Sequence, residues 1–108
     1  MPSNVRKTLV VNGLPHHGDW IALEVEGDSM DRVARDGAII FIDRADKRLA
    51  RDRFYVFANE AGESTFKRFR PGPPDRLLPY STNPDHETIS LEGSLFVVGR
   101  VRRVMLDL

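Results

Sequence analysis

Apolar positions along this chain come in short alternating or β-branched runs, separated by glycine, proline and charged turns, which is the pattern of strands. Trp20–Val25 puts Ile21, Leu23 and Val25 on one side and Trp20, Ala22 and Glu24 on the other. Residues 38–42, Ala-Ile-Ile-Phe-Ile, form the most hydrophobic run and predict a largely buried strand. Phe54–Ala58 and residues 64–69 flank the turn-forming stretch 59–63, Asn-Glu-Ala-Gly-Glu, and predict an antiparallel hairpin. On its returning arm Thr65, Lys67 and Phe69 share one face, with Phe66 and Arg68 on the other. Pro71, Pro73 and Pro74 keep the next segment out of a sheet interior. Residues 77–80 read as a short strand whose Pro79 marks an edge or bulge, and 88–91 as a brief extended piece. Residues 95–106 give a long final strand with a kink at Gly99.

Between these runs the chain turns. Residues 30–35 have room for a helical turn or two, too short to be stable alone, and Asp36-Gly37 ends them. Residues 43–53 form a charged connector expected to be a solvated loop, and 81–87 a loop turning at Asn83-Pro84. Residues 1–8 are polar and basic, the run Leu9-Val10-Val11 is too short to assign, and Asn12-Gly13 signals a turn. No long amphipathic helix is predicted. Six or seven short strands define an all-β, mostly antiparallel fold with little helix. The expected layout is an N-terminal arm or linker remnant over 1–19 and one domain over 20–108.

Composition narrows the function. Sixteen basic and sixteen acidic side chains cancel, so no overall positive field draws the chain to nucleic acid or anionic lipid. A helix-turn-helix reader also needs a docked recognition helix, for which the pattern has no place. DNA contact is therefore expected only through a domain absent from this chain. The absence of cysteine rules out disulfides, cysteine nucleophiles and thiolate metal sites. No apolar run is long enough for a membrane helix, and the first twenty residues lack a signal-peptide core, so a cytoplasmic location is expected.

The candidate chemistry starts at Gly27-Asp28-Ser29-Met30, where a strand stops at a glycine and a serine follows at a sharp corner. A serine hydroxyl attacks only when a base takes its proton. His16 and His17 are adjacent in loop-like sequence, without the spacing of metal ligands, and His86 has no evident carboxylate partner for a triad. A desolvated lysine can serve instead. Lys67, set among Phe66, Arg68 and Phe69, is the local candidate; periodicity alone favours instead a lysine that lays its stem on apolar surface with its charge in water.

The set Glu26-Gly27-Asp28-Ser29-Met30, Asp36-Gly37, Ile42-Asp43, Phe66-Lys67-Arg68-Phe69 and Asn83-Pro84 before Ile89 resembles the LexA/UmuD/phage-repressor family of S24 peptidase domains, from about Trp20 to the C-terminus. The resemblance implies a LexA C-terminal-domain-like β-rich fold. It implies Ser29 as nucleophile and Lys67 as neutral general base, with no cofactor and no metal. The backbone N–H of Ser29 would face the oxyanion, and Met30 would lie beside the nucleophile, shaping the pocket or filling the core. Asp28 would hold the corner through local backbone hydrogen bonds. In related repressors such a dyad cuts an Ala-Gly or Cys-Gly bond upstream in the same chain, stimulated by the RecA filament in the SOS response. Dimers typically form through the final strand region, here around Phe96–Met105.

The chain departs from that pattern in places. Ala38 stands where the family often has an acidic residue, and no Ala-Gly or Cys-Gly bond precedes Ser29. The family's cleavage bond would fall at or before Met1, which suits a cleaved product, a truncated chain or a shortened gene. Ala61-Gly62 lies in the predicted hairpin, where a cut would sever the support of Lys67. The leading expectation is the C-terminal regulatory domain of a LexA-like or prophage transcriptional repressor, an autocatalytic serine protease that dimerises. The alternatives are a non-cleaving dimerisation module of the same fold and a UmuD-like partner of an error-prone polymerase. A type I signal peptidase, which also uses serine and lysine, is disfavoured by the short chain without a membrane anchor.

Overall fold

The computed structural model describes residues 3–7, 18–91 and 93–106. Leu9-Val10-Val11, Asn12-Gly13, His16 and His17 lie outside them. The strands among the described residues are β1 (Val5–Lys7), β2 (Trp20–Val25), β3 (Ile39–Asp43), β4 (Phe54–Ala58), β5 (Ser64–Arg70), β6 (Arg76–Leu78), β7 (Ile89–Ser90) and β8 (Phe96–Met105). They form one sheet in the order β1-β2-β3-β8-β4-β5-β6-β7, every pair antiparallel. No helix occurs among the described residues; residues 30–35 make a single turn, in which the Met30 carbonyl accepts from the N–H groups of Val33 and Ala34. The protein is all-β, as its apolar pattern predicts.

One strand escapes the pattern. β1 pairs with β2 in the register Val5↔Val25, Arg6↔Glu24 and Lys7↔Leu23. Val5 is buried, whereas Arg6 lies in the open and forms ion pairs with Glu24 and Glu26. A three-residue strand with two cationic side chains carries no periodicity to read, and it forms because β2 supplies a ladder and opposite charge. The sheet also curls: β1 and β5 are far apart in strand order, yet the Asn4 N–H donates to the Ser64 carbonyl at 3.2 Å.

Because side chains alternate along each strand, both faces acquire cores. On one face Val25, Met30, Ile40, Ile42, Val56 and Phe66 pack together. On the other, Tyr55, Phe57, Phe69 and Leu77 cluster, with the Tyr55 ring edge-on to Phe69. β5 therefore has apolar partners on both faces, which makes Lys67 unusual among its neighbours. The connector 43–53 is anchored more firmly than a solvated loop. Asp46 pairs with Arg100 and Arg102, Asp52 pairs with Arg70, and the Tyr55 hydroxyl donates to the Arg48 carbonyl at 2.7 Å.

β8 binds β3 on one side and β4 on the other, with register shifts in both ladders. Gly99 lies at the second shift as a bulge rather than a break, since β8 runs through it. A Cβ at Gly99 would sit 2.4 Å from the Asp43 carbonyl oxygen, a backbone atom that cannot swing away. Gly99→Ala is expected to cost about 1–3 kcal/mol, read as a lowered urea midpoint at unchanged m-value. A loss below about 0.5 kcal/mol would show that the two strands separate easily there.

Candidate active site

β2 hands the chain to the corner that carries Ser29. Gly27 adopts a positive φ of 79°, a conformation that side-chain-bearing residues rarely take, and its N–H donates to Asp36 Oδ1 at 2.8 Å. Just beyond, Met30 is fully buried, so the corner is pinned on its C-terminal side by core packing. A returning segment then holds the backbone between these points. The Tyr80 N–H donates to the Ser29 carbonyl at 2.9 Å, and the Ser81 hydroxyl donates to the Asp28 carbonyl at 2.6 Å. With its backbone tied down, Ser29 presents its hydroxyl into a cavity of about 400 Å³.

Lys67 reaches the same cavity from the middle of β5. Its residue is only 6% exposed, which distinguishes it from a lysine holding its charge in water. Nζ lies 2.9 Å from Ser29 Oγ and 3.2 Å from the Phe66 carbonyl oxygen. Among the described residues no carboxylate forms an ion pair with it. Burial disfavours the charged ammonium and brings the pKa down from 10.5 to about 8. A substantial fraction of the amine is thus neutral in mildly alkaline solution, with its lone pair free to receive a proton.

The sequence expectation for Met30 is divided between pocket and core. Its side chain belongs to the core cluster that also holds Val25 and Phe66 and is absent from the cavity wall. Asp28 holds the corner, though by long-range contacts: Oδ2 accepts from Asn83 Nδ2 at 3.3 Å and Oδ1 lies 2.5 Å from His86 Nε2. His86 thereby has the carboxylate partner that sequence reading denied it. The His86 and Asn83 contacts hold the Asp28 carboxyl below the usual carboxylate range. Neither residue hydrogen-bonds Ser29 Oγ, so no histidine triad forms among the described residues. The Ser29 N–H has no acceptor among the described residues and is available as a donor.

Asn4 also enters the site, and nothing in the sequence marks it. Its Nδ2 donates to Ser29 Oγ at 3.1 Å and to the Phe66 carbonyl at 3.0 Å, while its Oδ1 accepts from the Phe66 N–H at 2.7 Å. These partners are 25 and 62 residues away in the chain, beyond the reach of a local pattern.

A half-buried serine beside a buried lysine on a curled antiparallel sheet defines the class: a β-rich domain that sets a hydroxyl within hydrogen-bonding distance of an amine. The comparison with known families agrees, since the family described as Peptidase S24-like matches residues 4–102. The chain belongs to that LexA/UmuD-like family. No curated protein matches the chain at a meaningful level.

The buried amine should weaken the fold as well as lower its own pKa. An unfolded chain binds the Lys67 proton up to pH 10.5, whereas the folded one releases it near 8. The unfolded state therefore holds more protons between those values, and stability rises with pH across that window. Below pH 8 the penalty is fully present, at roughly 3 kcal/mol before any gain from the hydrogen bonds of Nζ. Lys67→Met should accordingly be more stable than the parent at pH 7, with the difference shrinking between pH 8 and 10.5 in thermal or urea unfolding. A difference that stays constant with pH would mean that Lys67 titrates alike in both states.

Proposed function

We propose that this domain is the C-terminal regulatory domain of a LexA-like or prophage transcriptional repressor, providing dimerisation and serine–lysine self-cleavage of the intact protein. The observation that carries the reading is the 2.9 Å approach of the buried Lys67 Nζ to Ser29 Oγ. In the proposed reaction Ser29 Oγ forms a bond to the scissile carbonyl carbon as its proton passes to the neutral Lys67 amine. The carbonyl π-electrons move onto oxygen, and the Ser29 N–H donates to that oxyanion. Collapse of the intermediate breaks the C–N bond, and Lys67 returns the proton to the leaving amine. Lys67 then takes a proton from a water that attacks the ester, which frees the acid and restores the hydroxyl.

Dimerisation is supported by the apolar surface at the two ends of β8. Phe96 is 53% exposed, and Val104, Met105 and Leu106 are each 43% exposed, an accumulation of large apolar side chains that a second copy of the chain would cover. DNA contact, if the intact protein makes it, belongs to another domain, and release from DNA would follow separation of the two parts. Ala61-Gly62 lies at the exposed tip between β4 and β5, and cutting there would detach the strand that carries Lys67. It is therefore not the proposed target.

Incubating the full-length gene product from pH 6 to 10 and resolving fragments by mass tests the reading. A single cut is expected, with a rate rising about ten-fold between pH 7 and 9 and levelling above, because the fraction of neutral Lys67 rises through its pKa of about 8. Ser29→Ala should abolish the cut without unfolding the domain. Cleavage that persists in that variant, or a rate indifferent to pH, would overturn the serine–lysine chemistry, and an intact parent protein at every pH would favour a non-cleaving dimerisation module.

A further inference from the structure

Ser29 Oγ has two hydrogen-bond partners among the described residues, and the reaction above uses only Lys67. The second is the side chain of Asn4, held in a geometry that leaves little freedom. β6 pairs with Arg68, Phe69 and Arg70 and stops there, so the N–H and C=O of Phe66 project past its end. The Asn4 amide takes both, accepting at Oδ1 from the N–H (2.7 Å) and donating from Nδ2 to the carbonyl (3.0 Å). The side chain thus imitates the peptide group of a missing strand. Its backbone is fixed as well, with the Asn4 N–H donating to the Ser64 carbonyl and the Asn4 carbonyl accepting from the Glu26 N–H at 2.8 Å.

This pairing settles which amide atom faces the serine. Oδ1 must be the acceptor of the Phe66 N–H, so Nδ2 is the atom on the serine side. One Nδ2 hydrogen serves the Phe66 carbonyl, and the other points at Ser29 Oγ, 3.1 Å away. A hydroxyl has one proton to donate and two lone pairs to offer. With a lone pair engaged by Asn4, the proton of Ser29 is directed to the other neighbour, the Lys67 amine. As that proton leaves, negative charge grows on Oγ, and a fixed donor already faces it.

We propose that Asn4 is a third catalytic residue, whose amide N–H orients the Ser29 hydroxyl toward Lys67 and stabilises Oγ as it loses its proton. The inference rests on the nucleophile reading of Ser29 and deepens it. It also gives β1 a purpose in the site, since the strand's pairing with β2 places Asn4 against β5.

An irreversible organophosphorus reagent, a fluorophosphonate, tests this on the present chain without needing a scissile bond. Ser29 Oγ displaces fluoride from phosphorus while Lys67 takes the hydroxyl proton, and adduct formation is followed by mass at pH 6 to 10. In the parent chain the labelling rate should rise with a midpoint near 8, following neutral Lys67. Asn4→Ala, checked for folding by its thermal transition, should label about 10- to 100-fold more slowly at the plateau with an unchanged midpoint. Asn4→Asp keeps an acceptor for the Phe66 N–H but replaces the donor with a negative charge. It should label slowly and shift the midpoint upward by about one pH unit, because a carboxylate beside Lys67 favours the ammonium. A purely structural asparagine would lower the thermal transition without changing labelling of the folded protein. Folded Asn4 variants that label at the parent rate with the parent midpoint would overturn the role of Asn4 while leaving Ser29 as nucleophile. A parent chain inert at every pH would overturn both readings.

Discussion

Burying an amine is unfavourable, and among the described residues no carboxylate offsets the burial of Lys67; the organisation of this domain follows from where that burial occurs. Lys67 lies on a strand packed on both faces, with its nitrogen against a serine hydroxyl and a backbone carbonyl. A carboxylate in place of either neighbour would hold the proton on the amine and leave the hydroxyl inert near neutral pH. Polar but uncharged neighbours allow the amine to lose its proton under mild conditions. The same absence of charge that lets the amine lose its proton also makes it a weak point in the fold.

The rest of the structure keeps two groups from distant parts of the chain in register. Ser29 is fixed by the left-handed Gly27, the buried Met30 and the segment 80–81, which bonds the carbonyls on both sides of the corner. Lys67 is fixed by the ladders of β5 with β4 and β6. Asn4 joins the two, since its side chain touches both Phe66 and Ser29. Curling of the sheet is what allows this. A flat sheet of the same strand order would keep β1 far from β5.

Most of the fold was legible in the chain because strands with one or two apolar faces write their period into the sequence. β2, β3, β4, β5 and β8 all appear as alternating or β-branched runs, and the β4–β5 hairpin announces its turn. β1 was not legible, since its stability comes from cross-strand ion pairing and one buried valine. The positions of Ser29 and Lys67 could be singled out from the corner glycine, the aromatic neighbours and the family resemblance. Asn4 and the Asp28–His86 contact could not, because both depend on tertiary approach of side chains with no local signature. Burial of Met30 away from the cavity likewise depends on the direction of one turn, which periodicity does not set.

The central claim is that the Lys67 amine, buried and without a carboxylate partner among the described residues, loses its proton about 300-fold more readily than an ordinary lysine. Direct observation of that proton is the sharpest test: an NMR titration of the Lys67 side-chain nitrogen and its adjoining carbon in the folded chain. The account predicts a midpoint near pH 8. A midpoint at or above 10, the value of a lysine in water, would contradict it.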